Sequence, residues 1–153
     1  MSGACTVRPA AVGDLMACAA IINDYIDATE WLPRTITREQ IEAAFAPDAL
    51  TRRRIWVADC GGTIEGYASL DPAENFLHAL YLRPQIQRRG VGKALLNEVK
   101  AACPAGFTLK AWKPNVDAMR FYKREGLVEV PEGLDTATEE GVPTHLFRWE
   151  GQA

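Results

Sequence analysis

The sequence predicts an α/β (α+β) domain built on a mixed sheet of about seven strands flanked by about four helices. Three observations carry that prediction. The hydrophobic period switches along the chain in the order strand, two helices, three strands, helix, strand, helix, two strands, an interleaving that layers helices onto a sheet. The 153 residues, 48% apolar and 24% charged, match one domain able to bury roughly 70% of its unfolded surface without a metal or cross-link. No internal repeat, linker or low-complexity stretch interrupts residues 1–153, so a single domain is expected.

Val7-Arg8-Pro9 opens as a short strand. Gly13-Asp14 offers a cap for a first helix from roughly Asp14 to Asp27, in which Leu15, Cys18, Ala19, Ile22 and Ile26 recur near a helical period. Thr37 with Gln40 reads as a capping box for a second helix, whose stripe of Ile41, Ala44 and Phe45 ends near Pro47. Between them, Thr29-Glu30-Trp31-Leu32-Pro33 has the polar, aromatic composition of a surface connection that lines a pocket. From Arg54 the period falls to two. Ile55 to Asp59 and Thr63 to Leu70 form a hairpin about Cys60-Gly61-Gly62, and Phe76 to Leu82 is a further strand stopped by Pro84. A helix follows from about Gly90 to Cys103, with Ala94, Leu95, Val99 and Ala102 on one face. Phe107 to Trp112 is a strand, Asn115 to Glu125 a helix closed by Gly126, and Leu127 to Val130 and Thr144 to Trp149 are the last strands, separated by a long polar loop, Glu132 to Pro143.

Charge narrows the function. Seventeen Lys plus Arg against twenty Asp plus Glu give −3, no field for gripping nucleic acid, so any anion site must be local. No apolar run reaches the ~18 residues of a membrane span and no export signal opens the chain, which makes the cytoplasm the expected location. Cys5, Cys18, Cys60 and Cys103 are read as reduced fillers, and His78 and His145 without paired cysteines give no zinc pattern.

The local anion site is legible at Gln87-Arg88-Arg89-Gly90-Val91-Gly92-Lys93-Ala94, between a strand and a helix. There the unpaired amides of a helix start favour an anion, glycines let the backbone approach oxygen atoms, and Arg88, Arg89 and Lys93 add donors suited to a pyrophosphate. A Walker loop would need glycine at Gln87 and Ser or Thr at Ala94, and a Rossmann turn would need Gly or Ala at Leu95. Both patterns fail.

On these residues the chain resembles the GCN5-related N-acetyltransferase (GNAT) family, whose loop Q/R-x-x-G-x-G/A is met by Gln87 to Gly92 after the strand Leu80-Tyr81-Leu82-Arg83-Pro84. Asn115-Val116-Asp117-Ala118-Met119-Arg120-Phe121-Tyr122 followed by Gly126 is similar to its second signature, N-x-x-A-x-x-F-Y. The resemblance implies a mostly antiparallel twisted sheet, acetyl-coenzyme A as cosubstrate, the pantetheine arm along Leu80, Tyr81 and Leu82 in a slot opened by splaying from the Phe107 strand, and Asn115 helping to hold it. It also places the Tyr122 hydroxyl near the sulfur.

Asn115 and Tyr122 lie seven residues apart, about 10.5 Å along one helix and nearly in line. Transfer from thioester to amine expels a thiolate, which Tyr122 can protonate. Reference values of ~10 and ~8.5 make that uphill by roughly 2 kcal/mol. The amine, with pKa ~10.4, costs about 4.6 kcal/mol to neutralise at pH 7, so a base is needed. His78, which strict alternation places on one face with Phe76, Leu80 and Leu82, is the candidate. Leu77-His78-Ala79-Leu80 is similar to the arylalkylamine N-acetyltransferases, where a histidine here helps withdraw the proton; their second histidine is replaced by Phe76. The backbone amide near Leu80 is the candidate donor to the thioester oxygen.

Glu30 and Trp31 are candidates to line the acceptor pocket. Glu65, Glu74 and Arg52-Arg53-Arg54 read as solvated, and His145 as structural. The expectation is direct acetyl transfer to the primary amine of a small molecule, with a protein or peptide amine and a non-catalytic acyl-CoA-binding module as alternatives. The sequence leaves the oligomeric state open, a homodimer being one option because an exposed final strand could pair.

Overall fold

The computed structural model describes residues 4–151. Seven strands, β1 (Cys5–Pro9), β2 (Arg54–Cys60), β3 (Thr63–Asp71), β4 (Phe76–Leu82), β5 (Phe107–Trp112), β6 (Val128–Asp135) and β7 (Thr144–Trp149), form one sheet in the order β1-β2-β3-β4-β5-β7-β6. Every neighbouring pair is antiparallel except β4 and β5. The helices are α1 (Leu15–Ala28), α2 (Arg38–Ala44), α3 (Ala49–Arg52), α4 (Val91–Ala102) and α5 (Val116–Arg124).

Alternation along the central strands sends side chains to two cores. Trp56, Ala58, Ala68 and Leu70 join Leu95, Leu96 and Val99 of α4, whereas Ile55, Val57 and Tyr67 join Leu15, Cys18 and Ile21 of α1. Leu95, Leu96 and Val99 are fully buried, each contributing about 1.5–3 kcal/mol of transfer free energy. The predicted capping box forms, and α5 gains a cap as well. Thr37 Oγ1 accepts from the Gln40 amide and Gln40 Oε1 from the Thr37 amide, at 3.1 and 2.9 Å, and Asn115 Oδ1 accepts from the Ala118 amide at 3.2 Å.

Several expectations are corrected. Asp14 makes no side-chain cap to α1; its carboxylate accepts from the Ala11 amide and pairs with Arg8. A fifth helix, α3, takes in Arg52, while Arg53 pairs with Asp71 and Arg54 stacks on Trp56. Ala94 is exposed, and Val91 and Leu96 take its place on the buried face of α4. The polar stretch expected as loop from Glu132 begins as strand, β6 running to Asp135. β7 inserts between β5 and β6, so the final strand is interior and the outer edge belongs to β6. Cys5 and Cys60 are not reduced fillers; facing each other across β1 and β2, they form a disulfide, and only Cys18 and Cys103 are free. Burial pushes the Cys18 thiol up to about 12, which leaves it inert at neutral pH.

Candidate active site

The sheet opens where its one parallel pair fails. β4 and β5 are registered only at Phe76 with Thr108 and Leu77 with Leu109, so the strands part beyond Leu77 and the stretch 78–82 has no β5 partner. The gap is one cleft of about 1590 Å³. Leu80, Tyr81 and Leu82 line it from the β4 side, an unpaired strand edge of the kind an extended amide-bearing chain completes.

At one end stands the turn into α4. A 3-10 turn at Pro84–Ile86 leads to Arg88, left-handed at φ 66°, and Gly90, left-handed at φ 78° and the N-cap of α4. A left-handed arginine costs about 1–2 kcal/mol, and with Gly90 it curls the backbone so that the first-turn amides of Val91, Gly92 and Lys93 stay outside the helical ladder. The Ala94 amide is already committed to the Gly90 carbonyl at 3.0 Å. Among the described residues none of Arg88, Arg89 and Lys93 enters an ion pair. Like charges gathered at a positive helix end without a counter-charge suit a polyanionic ligand. Gln87, Arg88, Gly90, Gly92 and Lys93 all face the cleft. Arg89, Val91 and Ala94 do not line it, Val91 being a core residue.

Tyr122 lies deeper. It is buried with its ring against Phe121 and Phe147 yet still reaches the cleft. Burial first, and then the neighbouring phenols of Tyr81 and Tyr25, hold its hydroxyl well above the ordinary phenol range. Its proton is therefore in place throughout the neutral range. Asn115, at the start of the same helix, caps α5 and donates Nδ2 to the Tyr25 hydroxyl at 3.3 Å. Tyr25 comes from α1, so this bond spans two elements far apart in the chain.

His78 also lines the cleft, but the strand is not regular there. β3 and β4 pair Ser69 with Ala79 and Leu70 with Leu77, which leaves His78 as the extra residue of a β-bulge. The bulge breaks the alternation assumed above: Leu77, Leu80 and Leu82 share one core and Ala79 and Tyr81 the other, while His78 packs edge-on to Phe76 at 4.7 Å. Its side chain is 42% exposed, with Nε2 3.9 Å from Asp71. Burial, then the Arg53 charge, lowers its pKa below the ordinary 6.5, against a smaller opposing pull from Asp71. The imidazole is consequently neutral at pH 7 and able to accept a proton.

Glu30 and Trp31 reach the cleft from the turn after α1, and Trp31 tilts against Trp112 at 6.5 Å. Glu65 instead accepts from Gln85, Glu74 lies at a separate small pocket, and His145 is held by Glu129 at 3.0 Å. Sequence reasoning missed Tyr25, Trp112, Arg120 and Arg124, all of which line the cleft. Arg120 and Arg124 sit one turn apart beside Tyr122 in a recognised motif and could have been read; Tyr25 and Trp112 are brought in only by the tertiary fold.

The family model for the acetyltransferase (GNAT) family matches residues 19–127. The chain belongs to the GNAT family. It is 30% identical over 135 residues to the peptidyl-lysine N-acetyltransferase YiaC of Escherichia coli K12, a match covering 85% of this chain and 88% of that one. Its fold is shared with yncA of Salmonella typhimurium solved with acetyl-CoA (TM-score 0.75, 19% identity, 97% of this chain and 95% of that). It is shared too with a ribosomal-protein-alanine N-acetyltransferase of Brucella melitensis (0.75, 20%, 95% and 99%). A phosphinothricin acetyltransferase of Sinorhizobium meliloti in complex with AcCoA aligns likewise (0.73, 21%, 96% and 89%). This GNAT protein is accordingly an N-acetyltransferase with acetyl-coenzyme A as cosubstrate, and its uncommitted amides, unpaired cations and open strand edge fit that molecule. Among the described residues no helix is long and apolar enough to cross a membrane, and no group of three His, Cys, Asp or Glu could hold a metal.

Proposed function

We propose that this enzyme acetylates the primary amine of a lysine on a protein chain, by direct attack within a ternary complex. The observation that carries the reading is the cleft's size and lining: about 1590 Å³, reached by Ala28 to Trp31 from the turn after α1 and by Trp112, Pro114, Asn115, Val116 and Asp117 from the connection into α5. That exceeds the roughly 300–1,000 Å³ usual for a small-molecule site and leaves room for a chain beside the cosubstrate. The 30% identical relative, named a peptidyl-lysine N-acetyltransferase, supports the same choice over the small-molecule amine expected from sequence.

Bound acetyl-coenzyme A supplies an acetyl group activated as a thioester. Gln87, Arg88, Gly90, Gly92 and Lys93 hold the diphosphate, Leu80 to Leu82 and Asn115 guide the arm, and the Leu80 amide is the donor offered to the thioester oxygen as charge develops there. Tyr122 Oη gives its proton to the departing sulfur. The burial that raises the phenol also raises a thiolate in the same cleft, so the ~1.5-unit gap between their reference values does not widen by the full shift. His78, neutral at pH 7, takes the proton of the incoming ammonium, through water where the distance requires it. Glu30 attracts that cation, and Trp31 with Trp112 contacts its methylene stem.

Thiol release from acetyl-coenzyme A, measured across N-terminally blocked lysine peptides and a panel of small primary amines, tests the proposal. Higher kcat/KM on the peptides is expected, and a small amine outperforming every peptide would refute the acceptor assignment. Unchanged turnover in both Tyr122→Phe and His78→Ala would refute the catalytic roles.

A further inference from the structure

Among the described residues no hydrogen bond ties the turn carrying Glu30 and Trp31 to the sheet, which it meets through the Trp31 ring against Trp112. It is closed at its start by local bonds: the Thr29 hydroxyl donates to the Tyr25 carbonyl at 2.6 Å, and the Leu32 amide to the Thr29 carbonyl at 3.1 Å. At its other end, where Leu32 is buried and Thr35 reaches Glu140, one side chain gathers most of the hydrogen bonds. Arg34, six residues beyond the end of α1, returns its guanidinium to the last two turns of that helix. Nη1 donates to Asn23 Oδ1 at 2.9 Å and to the Ile36 carbonyl at 3.1 Å. Nη2 donates to the Asn23 carbonyl at 3.0 Å and to Asp27 at 2.9 Å, and Nε to the same carboxylate oxygen at 3.2 Å.

Three features make this more than a surface ion pair. Every guanidinium nitrogen is engaged, a fork that lysine cannot reproduce. One acceptor belongs to Asn23, a polar side chain fully buried in α1, whose amide nitrogen donates to the Arg38 carbonyl and so leaves its oxygen oriented for Arg34. And every hydrogen bond of Arg34 falls within residues 23–36, so its loss frees the turn while the core packing of α1 on the sheet stays intact.

We infer that Arg34 is a positioning residue for acceptor recognition, fixing the turn that presents Trp31 to the cleft. The inference rests on the acceptor reading above, in which that turn lines the cleft where the acceptor enters. Held turns lose less freedom on binding than loose ones, so the acceptor term alone should respond.

The test is steady-state kinetics with acetyl-coenzyme A and a blocked lysine peptide for Arg34→Gln, Arg34→Lys, Trp31→Ala and the Trp31→Ala/Arg34→Gln double variant, with melting temperatures alongside. Arg34→Gln is expected to raise the peptide KM by about tenfold with the acetyl-coenzyme A KM changed by less than about twofold. Arg34→Lys should recover only part of that, and the double variant should be no worse than Trp31→Ala, because both changes act through one turn. Asp27→Asn, which weakens two of the five bonds, gives the same direction in smaller measure if Arg34→Gln does not fold. An unmoved peptide KM in the Arg34 variants, an equal rise in both KM values, or full additivity with Trp31→Ala overturns the inference and leaves the acceptor reading standing. No effect of Trp31→Ala on the peptide KM, or no turnover of the peptide by the unaltered enzyme, overturns both.

Discussion

The two glycines of the anion-binding turn should respond to the same substitution with opposite signs. Gly90 has φ 78° and nothing within 4 Å of where a Cβ would stand, so Gly90→Ala meets no clash but places an alanine in the left-handed region, costing about 1–2 kcal/mol. Gly92 is helical, and its Cβ would lie 3.4 Å from Leu82 Cδ1 and 3.5 Å from Phe121 Cζ, ordinary contact distances. Gly92→Ala therefore gains the helix preference of alanine, about 0.5–1 kcal/mol. At roughly 2–4 °C per kcal/mol for a domain near 150 residues, the melting temperature falls by about 2–8 °C in the first variant and rises by about 1–4 °C in the second. Gly92→Val drives its extra methyls into Leu82 and Phe121 and reverses the gain, at about 1–3 kcal/mol of overpacking. Cofactor binding reports on the first separately: the Gly90 change unwinds the curl that aims the first-turn amides and raises the acetyl-coenzyme A KM. Differential scanning fluorimetry and saturation curves in acetyl-coenzyme A measure both. Melting shifts of the same sign for Gly90→Ala and Gly92→Ala would refute the geometric reasoning.

Tyr122→Phe, which removes the proton donor and little volume, is expected to lower kcat by about 10²–10⁴ with the acetyl-coenzyme A KM nearly unchanged; a parallel loss of cofactor binding would contradict the role. The base must be neutral, so the kcat/KM profile should be full above the His78 pKa and fall as pH drops through it, below 6.5 because burial and Arg53 depress it. Removing the Arg53 charge in Arg53→Gln then moves this acid limb upward, and an unmoved limb would dissociate it from His78. Without reductant the unfolded chain should titrate two thiols, Cys18 and Cys103. Opening the Cys5–Cys60 link, whose separation is 55 residues, should cost up to roughly 4 kcal/mol. Four titratable thiols before reduction would show that the bridge is absent.

The strands, the two long motif-bearing helices and the anion turn were legible because each rests on local chemistry: a period, a cap, a glycine that a turn requires. Gly90 and Asn115 sit at helix starts as their types predict. What escaped depends on partners remote in sequence. The bulge at His78 follows from the register of β3 against β4, so alternation alone did not show that Leu77 shares the core of Leu80 and Leu82. Cys5 and Cys60 pair because β1 lies beside β2, a neighbour relation that cysteine spacing does not encode. Tyr25 and Trp112 enter the cleft from helix and strand ends that look like ordinary core. Glu132 to Asp135 read as loop because an edge strand tolerates polar residues on both faces.

The meagre contact between β4 and β5 divides the sheet into ribbons of four and three strands that meet at two residue pairs. A thioester arm lying in that seam would complete the ladder and act as mortar between the ribbons, so the loaded protein should differ from the empty one more in stiffness than in shape. Those amides of 79–82 that point away from β3 would then exchange with solvent quickly in the empty molecule and slowly in the filled one. Because a ligand taken up only by the folded chain holds it folded, resistance to proteolysis would rise and fall with the supply of acyl donor, tying the enzyme's lifetime to its fuel.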